Sequence, residues 1–158
     1  MKVTEVTAEN LKYIAENMRD RDLAEFSAMS YFDDRENAAK ILCENYADYP
    51  GLYCVTLDDG TPVGAGGTIW IRPNVASMLF FATDDFDKIV VSLTRFSTKE
   101  IFNPAKALAH RIECFSLASY TQMQSWVELF GLRPEATLRG YGKNGEDFIV
   151  YAWLRDQE

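Results

Sequence analysis

The chain has 158 residues, 47% of them hydrophobic, and its 16 Lys and Arg residues against 24 Asp and Glu residues give a net charge of −8. This length predicts one domain, residues 1–158, whose core needs neither a disulfide nor a metal. The apolar content excludes a disordered chain, and the longest nearly apolar run, Val75 to Ala82, is too short to span a membrane. The negative charge argues against a nucleic-acid partner, because such binders carry a basic surface.

The acidic excess is concentrated in the first part of the chain. Residues 1–60 hold six basic and thirteen acidic residues, a net of −7, whereas residues 61–158 hold ten and eleven, a net of −1. An acidic surface attracts cations. The acidic segment around Asp33, Asp34 and Glu36 therefore predicts a partner that is a cationic amine or a basic protein surface.

Cysteine and histidine restrict the chemistry. The chain has three cysteines, Cys43, Cys54 and Cys114, without a CxxC pair, and a single histidine, His110. These are too few and too scattered for a zinc site. One Cys–His pair stays open, although a surface histidine at a helix end is the favoured interpretation. The first residues show no secretory pattern, so we expect reduced thiols in a cytoplasmic protein.

The first part of the chain predicts one strand and three helices. Residues 2–7 alternate apolar and polar side chains, which indicates a strand, and Thr7 caps the amphipathic helix that follows. A second helix is predicted from Asp22 to Met29. Asp33, with Glu36 three residues on, is typical of a capping box and begins the third helix.

Three strands are predicted next, at residues 52–57, 62–71 and 76–82. The second contains three glycines, Gly64, Gly66 and Gly67. A phosphate-binding loop places such glycines before a helix, whereas here more strand follows them. The glycines therefore indicate a bulge, or the close approach of a neighbouring segment or a ligand.

The second part of the chain alternates helices and strands. Thr83 or Asp84 caps a long helix that Asn103-Pro104 breaks or kinks, and residues 111–117 form a strand. Ser119 and Gln122 form a capping box for a helix from residue 120 to 130. Two last strands, at residues 135–141 and 148–154, are joined by a hairpin that Asn-Gly at 144–145 indicates.

This element order predicts an α/β chain, α+β-like in its pairing, with a mixed, mostly antiparallel sheet and helices on both faces. It resembles the GNAT family of N-acyltransferases. The segments that carry the resemblance are the strand Arg111 to Leu117, the helix that ends Trp126-Val-Glu-Leu-Phe-Gly-Leu132, and the hairpin after Glu135. The resemblance is closest to the sequences of GNAT-like proteins of tailed phages and prophages. The resemblance implies a GNAT-like sheet with a splayed parallel strand pair.

The resemblance also implies an acyl-CoA site, with acetyl-CoA as the cofactor, in the gap of the splayed pair. The backbone there would bind the pantetheine arm, and the loop that begins the long helix would cradle the pyrophosphate. This implies that the cofactor-binding residues are Met78, Leu79, Phe80 and Phe81 on the strand and Thr83, Asp84, Asp85 and Phe86 in the loop. The loop departs from the family pattern because it has no glycine and three acids, which compete with a phosphate for the helix N-terminus.

Two catalytic residues follow from the same resemblance. Glu113 lies in the splayed strand and is the candidate base, and its alternative is a salt bridge to a neighbouring Arg. The tyrosine that many members carry four residues before the helix-ending glycine is Val127 here. Tyr120, at the helix start, is the candidate to replace it, with Tyr141 as an alternative. Core packing is the default for the aromatic residues Tyr31, Phe32 and Trp70, which are also candidates to line an acceptor pocket.

Two functions are therefore expected. The first is an acyl-CoA-dependent N-acetyltransferase whose acceptor amine, a protein lysine or an N-terminus, attacks the thioester directly. The alternative is a phage protein with a GNAT fold that has lost catalysis and acts by protein binding, as a virion component or a modulator of a host protein. The oligomeric state, including a homodimer, stays open.

Overall fold

The computed structural model describes residues 1–155. The strands are β1 (Lys2–Glu5), β2 (Leu52–Thr56), β3 (Pro62–Arg72), β4 (Val75–Ala82), β5 (Arg111–Leu117), β6 (Arg133–Leu138) and β7 (Phe148–Leu154). The helices are α1 (Ala8–Glu16), α2 (Asp20–Ala28), α3 (Arg35–Tyr46), α4 (Val90–Phe96), α5 (Asn103–Leu108) and α6 (Thr121–Glu128). A 3₁₀ helix (Asp84–Lys88) precedes α4, and a π-helical segment (Ser97–Phe102) joins α4 to α5.

Among the described residues, the seven strands form one sheet in the order β1-β2-β3-β4-β5-β7-β6. Neighbouring strands run antiparallel except β4 and β5, which are parallel. The predicted mixed α/β fold and its element order are confirmed. The parallel pair is registered only over Val75–Arg111, Ala76–Ile112 and Ser77–Glu113, so the rest of each strand diverges.

Two hydrophobic cores cover the two faces of the sheet, because successive side chains of a strand point to opposite faces. One core contains Phe81 of β4 and packs under α1 and α3. The other contains Ala76 and Ala82 of the same strand and packs under α4, α5 and α6, with Phe80 against it. The diverging ends of β4 and β5 lie between the two cores.

The glycines of β3 make room for a neighbouring side chain. Gly64 and Gly66 pair with Ala82 and Phe80 on β4. A Cβ added at Gly66 would lie 2.7 Å from the ring of Phe80, and one at Gly64 would lie 3.2 Å from it. Since real Cβ atoms do not come as close as 2.7 Å, Gly66 is required for the Phe80 ring to lie on β3. The predicted close approach by a neighbour is confirmed.

Two predicted helix starts are wrong. Helix α3 is capped by Asp34, whose carboxylate accepts a 2.9 Å hydrogen bond from the Asn37 backbone N–H, and not by Asp33. Helix α6 begins without a side-chain cap. Gln124, not Gln122, serves this end of the helix: its amide donates to the carbonyls of Leu117 and Ala118. At both sites residues with the capping-box spacing are present, but they do not cap the helix.

The predicted long helix is divided into four helical segments between residues 84 and 108. Pro104 lies at the beginning of α5, directly after the π-helical turn. A proline inside an α-helix lacks its N–H and clashes with the carbonyl four residues back. The wider π turn relieves this clash, so the helical path continues.

The last two strands form the predicted hairpin, with a longer connection than a two-residue turn. Residues 139–147 join β6 to β7. The Gly145 N–H donates to the Gly142 carbonyl, and the Asp147 carboxylate accepts from the Gly140 N–H, so the loop is held by its own bonds. Within residues 1–155, no helix is both long and apolar enough to cross a bilayer.

Candidate active site at the strand gap

The C-terminal end of β4 is bound on its open edge by the start of α2. The Ala82 carbonyl accepts a 2.9 Å hydrogen bond from the Arg19 backbone N–H, and the Ala82 N–H donates to the Asp22 carboxylate at 2.8 Å. Ala82 therefore turns both backbone groups away from β3 and toward β5. Because this orientation alternates along a strand, the backbone N–H and C=O of Phe80 also face the gap.

The end of β5 is bound by a second carboxylate of the same helix. Glu25 accepts a 2.6 Å hydrogen bond from the Leu117 N–H and a 3.1 Å bond from the Ser116 hydroxyl. Asp22 and Glu25 are three residues apart and thus on one side of α2. One helix therefore supplies a carboxylate to each diverging strand end.

Asp22 is the centre of a buried polar cluster. Its carboxylate forms an ion pair with Arg19, at 2.9 Å, and accepts a 2.8 Å hydrogen bond from the Tyr120 hydroxyl. Burial raises the pKa of the Asp22 carboxyl, against the lowering effect of Arg19 and the hydrogen bonds. Burial and the Asp22 charge likewise raise the pKa of the Tyr120 hydroxyl, which therefore keeps its proton near neutral pH.

Glu25 has a proton affinity suited to acid–base chemistry. Burial raises the pKa of its carboxyl to about 7, and the nearby Asp22 charge acts in the same direction. The hydrogen bonds from Leu117 and Ser116 favour the charged form and only partly offset these effects. The Glu25 carboxyl therefore holds its proton more tightly than an exposed glutamate does.

One cavity reaches the gap, and a second adjoins it. A cavity of about 300 Å³ is lined by Asp22, Glu25 and side chains of β3, β4 and α3. A second cavity of about 200 Å³ is lined by Arg19, Tyr120 and side chains of the 3₁₀ helix and α6. Met123 of α6 lines both. We call them the carboxylate cavity and the Arg19 cavity. The carboxylate cavity is lined by residues of both diverging strands, and the Arg19 cavity adjoins it at the Met123 side chain.

The residues predicted to bind the cofactor fall into two groups. Met78, Leu79, Phe80 and Phe81 all line the carboxylate cavity, and the Phe80 ring packs 4.7 Å, between centroids, from Trp126. The loop residues Thr83, Asp84, Asp85 and Phe86 form the turn that begins the 3₁₀ helix. Only Phe86 of these four lines a cavity among those described, namely the Arg19 cavity.

The amides of this loop are largely engaged with the protein itself. The Thr83 N–H donates to the Val63 carbonyl at 2.7 Å, and the Phe86 N–H to the Thr83 carbonyl at 3.1 Å. The Asp85 N–H contacts the Thr83 hydroxyl oxygen at 3.4 Å, and the Asp85 carboxylate pairs with Lys88. A phosphate cradle requires N–H groups that point at the ligand. This loop therefore does not fit a pyrophosphate.

Glu113 lies in an ion-pair network. Its carboxylate accepts a 2.5 Å hydrogen bond from the Arg111 guanidinium, which also binds Glu135 through two bonds of 2.6 and 2.9 Å. The salt bridge to a neighbouring Arg that the sequence left as the alternative is thus present. Glu113 does not line the carboxylate cavity. The other predicted catalytic residue, Tyr120, does lie at the Arg19 cavity.

Sequence reasoning missed the two carboxylates that lie at the gap. Asp22 and Glu25 lie on the second predicted helix, and acidic residues on a helix are usually solvated. The signal in the sequence was the spacing of Asp22 and Glu25, because residues three apart lie on one side of a helix. Tyr31, Phe32 and Trp70 do not line the carboxylate cavity, whereas the β3 residues Ile69 and Ile71 do.

The fold is that of the GNAT acetyltransferases, as three solved structures illustrate. A GNAT-family acetyltransferase from Bacillus anthracis aligns with a TM-score of 0.65 at 14% identity, over 98% of this chain and 95% of that one. The ribosomal-protein-S18-alanine N-acetyltransferase from Escherichia coli gives 0.68 at 15% identity, over 97% and 92%. A GNAT-superfamily phosphinothricin acetyltransferase from Sinorhizobium meliloti, in complex with AcCoA, gives 0.67 at 12% identity, over 97% and 87%. The sequence matches no protein-family model and no curated protein.

Proposed function

We propose that this protein is an N-acyltransferase, which moves an acyl group from a pantetheine thioester such as acetyl-CoA to an amine. The observation that carries the proposal is a cavity lined by both diverging strands and by Glu25, whose carboxyl has a pKa of about 7, with a second cavity adjoining it at Met123. In the proposal the thioester end of the donor reaches the carboxylate cavity past Met123, from the Arg19 cavity, and the acceptor enters the carboxylate cavity from the solvent. The fold supports the same reaction class, since its structural neighbours include acetyltransferases.

The donor fits the gap at one end and not at the other. The backbone groups of Phe80 face the gap and suit the amides of a pantetheine arm, whereas the loop amides of Thr83, Asp85 and Phe86 are already bonded within the protein. When bound, the thioester supplies the activated carbonyl carbon to which the amine nitrogen adds. The Phe80 backbone groups can therefore bind the pantetheine end of the donor. The loop amides, which are bonded within the protein, do not bind the pyrophosphate of CoA.

Glu25 acts as the general base in this proposal. An alkylamine is mostly protonated near neutral pH and must lose a proton before its nitrogen can react. A carboxylate with a pKa of about 7 is a stronger base than an exposed glutamate and takes up that proton as the nitrogen reacts, directly or through one water. Glu113 is a weaker candidate than Glu25, because its carboxylate is engaged by Arg111 and lies outside the cavity.

Tyr120 is the group that meets the departing thiolate. Its hydroxyl lies at the Arg19 cavity and is oriented by Asp22. Its raised pKa exceeds the value of about 8.5 for a thiol, so the phenol cannot give its proton away completely. The single O–H proton of Tyr120 is donated to Asp22 in the free protein, so Tyr120 stabilises the thiolate by exchanging that hydrogen bond for one to the sulfur.

The acceptor enters by the carboxylate cavity, where Asp22 and Glu25 attract a cation. The acidic segment nearby is partly neutralised: Asp33 pairs with Lys143 and Asp20 with Arg35, both at 2.6 Å. We therefore assign recognition of the amine to the buried carboxylates. The surface around Asp33 and Glu36 remains the proposed contact for a basic protein partner.

The test is acyl transfer by the purified protein, with acetyl-CoA or S-acetylpantetheine as donor, a panel of primary amines as acceptors and mass spectrometry of the product. We expect an N-acetylated amine with the wild type. Glu25→Gln should lower the rate about 100-fold or more, the usual contribution of a general base. Glu113→Gln is the matched control and should stay within a few-fold of the wild type. A wild type that forms no product with any amine would exclude the proposed activity.

A second function is favoured by one observation. The engaged loop amides and the carboxylates that bind both strand ends suit a GNAT-fold protein that no longer transfers acyl groups and acts by binding a protein, the phage-type alternative. In that case neither donor raises the melting temperature. Saturable stabilisation by either thioester excludes this alternative.

A further inference from the structure

The carboxylate cavity has a polar end and apolar walls. At the gap it is closed by Asp22 and Glu25, while its walls are almost entirely aliphatic, aromatic or thioether groups. Wall residues from five elements or their flanks are Met18, Phe26, Leu42, Ile69, Ile71 and Phe115. Such a site holds a ligand by burying apolar surface and fixes its orientation through a few polar groups.

We propose that the acceptor is a monoamine on an apolar body, an alkylamine or arylalkylamine, whose nitrogen meets Asp22 and Glu25 while its body fills the apolar part of the cavity. This inference rests on the proposed function and specifies its acceptor. Charge complementarity sets the orientation, because both carboxylates bond to the strand ends and Asp22 is buried, whereas Met29 and Ile71 of the same lining are exposed.

The size of the cavity argues for a body larger than a lysine side chain. Its volume of about 300 Å³ is at the lower limit for small-molecule sites. At the ~30 Å³ that a water molecule occupies in the liquid, it holds about ten non-hydrogen atoms. A lysine stem supplies four methylenes and a nitrogen, which leaves about half of the apolar wall without a partner.

The charge distribution argues against a polyamine. Among the described residues that line this cavity, Asp22 and Glu25 are the only acidic ones, and none is basic. A second ammonium group, eight or so bonds from the first, would lie at the outer end beside Met29 and Ile71, where the lining offers no counter-charge. There it loses part of its hydration and gains no ion pair, which is unfavourable. The cavity therefore discriminates between one cation and two.

The outer end of the cavity is also apolar. Met29 and Ile71 line it and are 51% and 44% exposed. They extend the apolar surface from the cavity to the solvent, so a body longer than the cavity remains in contact with protein. A monoamine therefore places its one charge at the carboxylates and no charge at the outer end of the cavity.

The experiment compares n-octylamine with 1,8-diaminooctane, which has the same chain and a second amine. Binding is measured by calorimetry at about pH 8 on the full chain without an acyl donor. We expect octylamine to bind at least tenfold more tightly than the diamine. Ethylamine and an Nα-acetyl-lysine amide should bind more weakly than octylamine. Equal or tighter binding of the diamine, or of the lysine compound, would overturn the inference.

A substitution at the outer end of the cavity should reverse the preference for octylamine over the diamine. Ile71→Asp places a carboxylate at the outer end and should weaken octylamine and strengthen the diamine, each about tenfold. Val91→Asp, at an exposed position of α4 outside the cavity, is the control and should change neither. Because Ile71 is partly exposed, we expect this variant to fold, and its circular dichroism spectrum verifies that. A folded variant with unchanged preference would contradict the proposed binding mode.

The monoamine site and the transferase activity can each be excluded without excluding the other. Octylamine that binds but is never acylated excludes the transferase and leaves the amine site in place. Acylation of spermidine or lysyl peptides in preference to octylamine supports the transferase and excludes the monoamine site.

Discussion

The carboxylate of Glu25 on α2 accepts a 2.6 Å hydrogen bond from the backbone N–H of Leu117, the last residue of β5. An N–H at this position of a parallel pair would ordinarily bond to the neighbouring strand. Because β4 has diverged, a side chain takes the place of the strand. Asp22 does the same for Ala82 at the end of β4. The strand gap is therefore maintained by two carboxylates that also line a ligand-sized cavity.

The buried state of Glu25 should be visible in stability. Its pKa lies near 4.5 when exposed and at about 7 in the folded protein. The folded state therefore binds the proton more tightly, and stability is lost as the pH rises from about 4.5 to about 7. A shift of this size corresponds to a loss on the order of 3 kcal/mol.

Urea unfolding across this pH range measures the effect. Glu25→Gln keeps an acceptor for the Leu117 N–H but has no charge, so the decrease should be smaller in that variant. Asp22 adds a decrease of the same sign in both proteins. Identical pH dependence in the wild type and the variant would show that Glu25 titrates as an exposed group.

Asp22→Asn should destabilise the fold by about 1–3 kcal/mol, because it replaces one carboxylate oxygen with an NH₂ group and leaves the Ala82 N–H or the Tyr120 hydroxyl without its acceptor. The matched control is Asp20→Asn on the same helix. Asp20 is 93% exposed, and its pair with Arg35 should be worth at most about 1 kcal/mol. Chemical unfolding of both variants gives the comparison. Equal costs would mean that Asp22 is solvated and does not anchor β4.

Gly66→Ala tests the packing of Phe80. The new methyl group would collide with the Phe80 ring and with the Leu79 carbonyl, so the ring must move or the strands must separate. We expect a cost of about 1–3 kcal/mol and weaker donor binding. At Gly64 the nearest ring atom is 3.2 Å away, so Gly64→Ala should cost less. Thermal unfolding that ranks the two variants in the opposite order would refute this account of the glycine run.

Because the loop amides are bonded within the protein, the nucleotide part of acetyl-CoA should add little to donor binding. S-acetylpantetheine, which lacks the pyrophosphate and the adenosine, should bind within about tenfold of acetyl-CoA. A single charge-assisted hydrogen bond is worth about 1.5–3 kcal/mol, so a functional cradle would produce a much larger difference. Competition calorimetry with adenosine 3′,5′-bisphosphate is the control and should show weak binding. A 1,000-fold advantage for acetyl-CoA would contradict the loop geometry.

The sequence predicted the architecture well because periodicity and turn residues are local signals. The strand Arg111–Leu117 was predicted with its observed bounds, and Thr7 was identified as a helix cap that forms the capping box of α1. The cap of α3 was misplaced by one residue because Asp33 and Asp34 are adjacent and both fit the pattern. Ser119 has the capping-box spacing to Gln122, yet α6 begins at Thr121 without a side-chain cap.

The site was predicted less well because it depends on contacts between distant parts of the chain. Glu25 and Leu117 are 92 residues apart, and Asp22 and Tyr120 are 98. No local pattern marks either carboxylate as buried, since that follows from the divergence of two strands. Tyr120 was chosen by analogy with the family, and its bond to Asp22 was not foreseen.

The pH dependence of kcat is the most direct test of the central claim that Glu25 is the base at the strand gap. With saturating thioester and amine, kcat of the wild type should rise about tenfold between about pH 6 and pH 8, as a base with a pKa near 7 loses its proton. Glu25→Gln should remove this rise, and Glu113→Gln should retain it. A rise that survives in Glu25→Gln and disappears in Glu113→Gln would contradict the account.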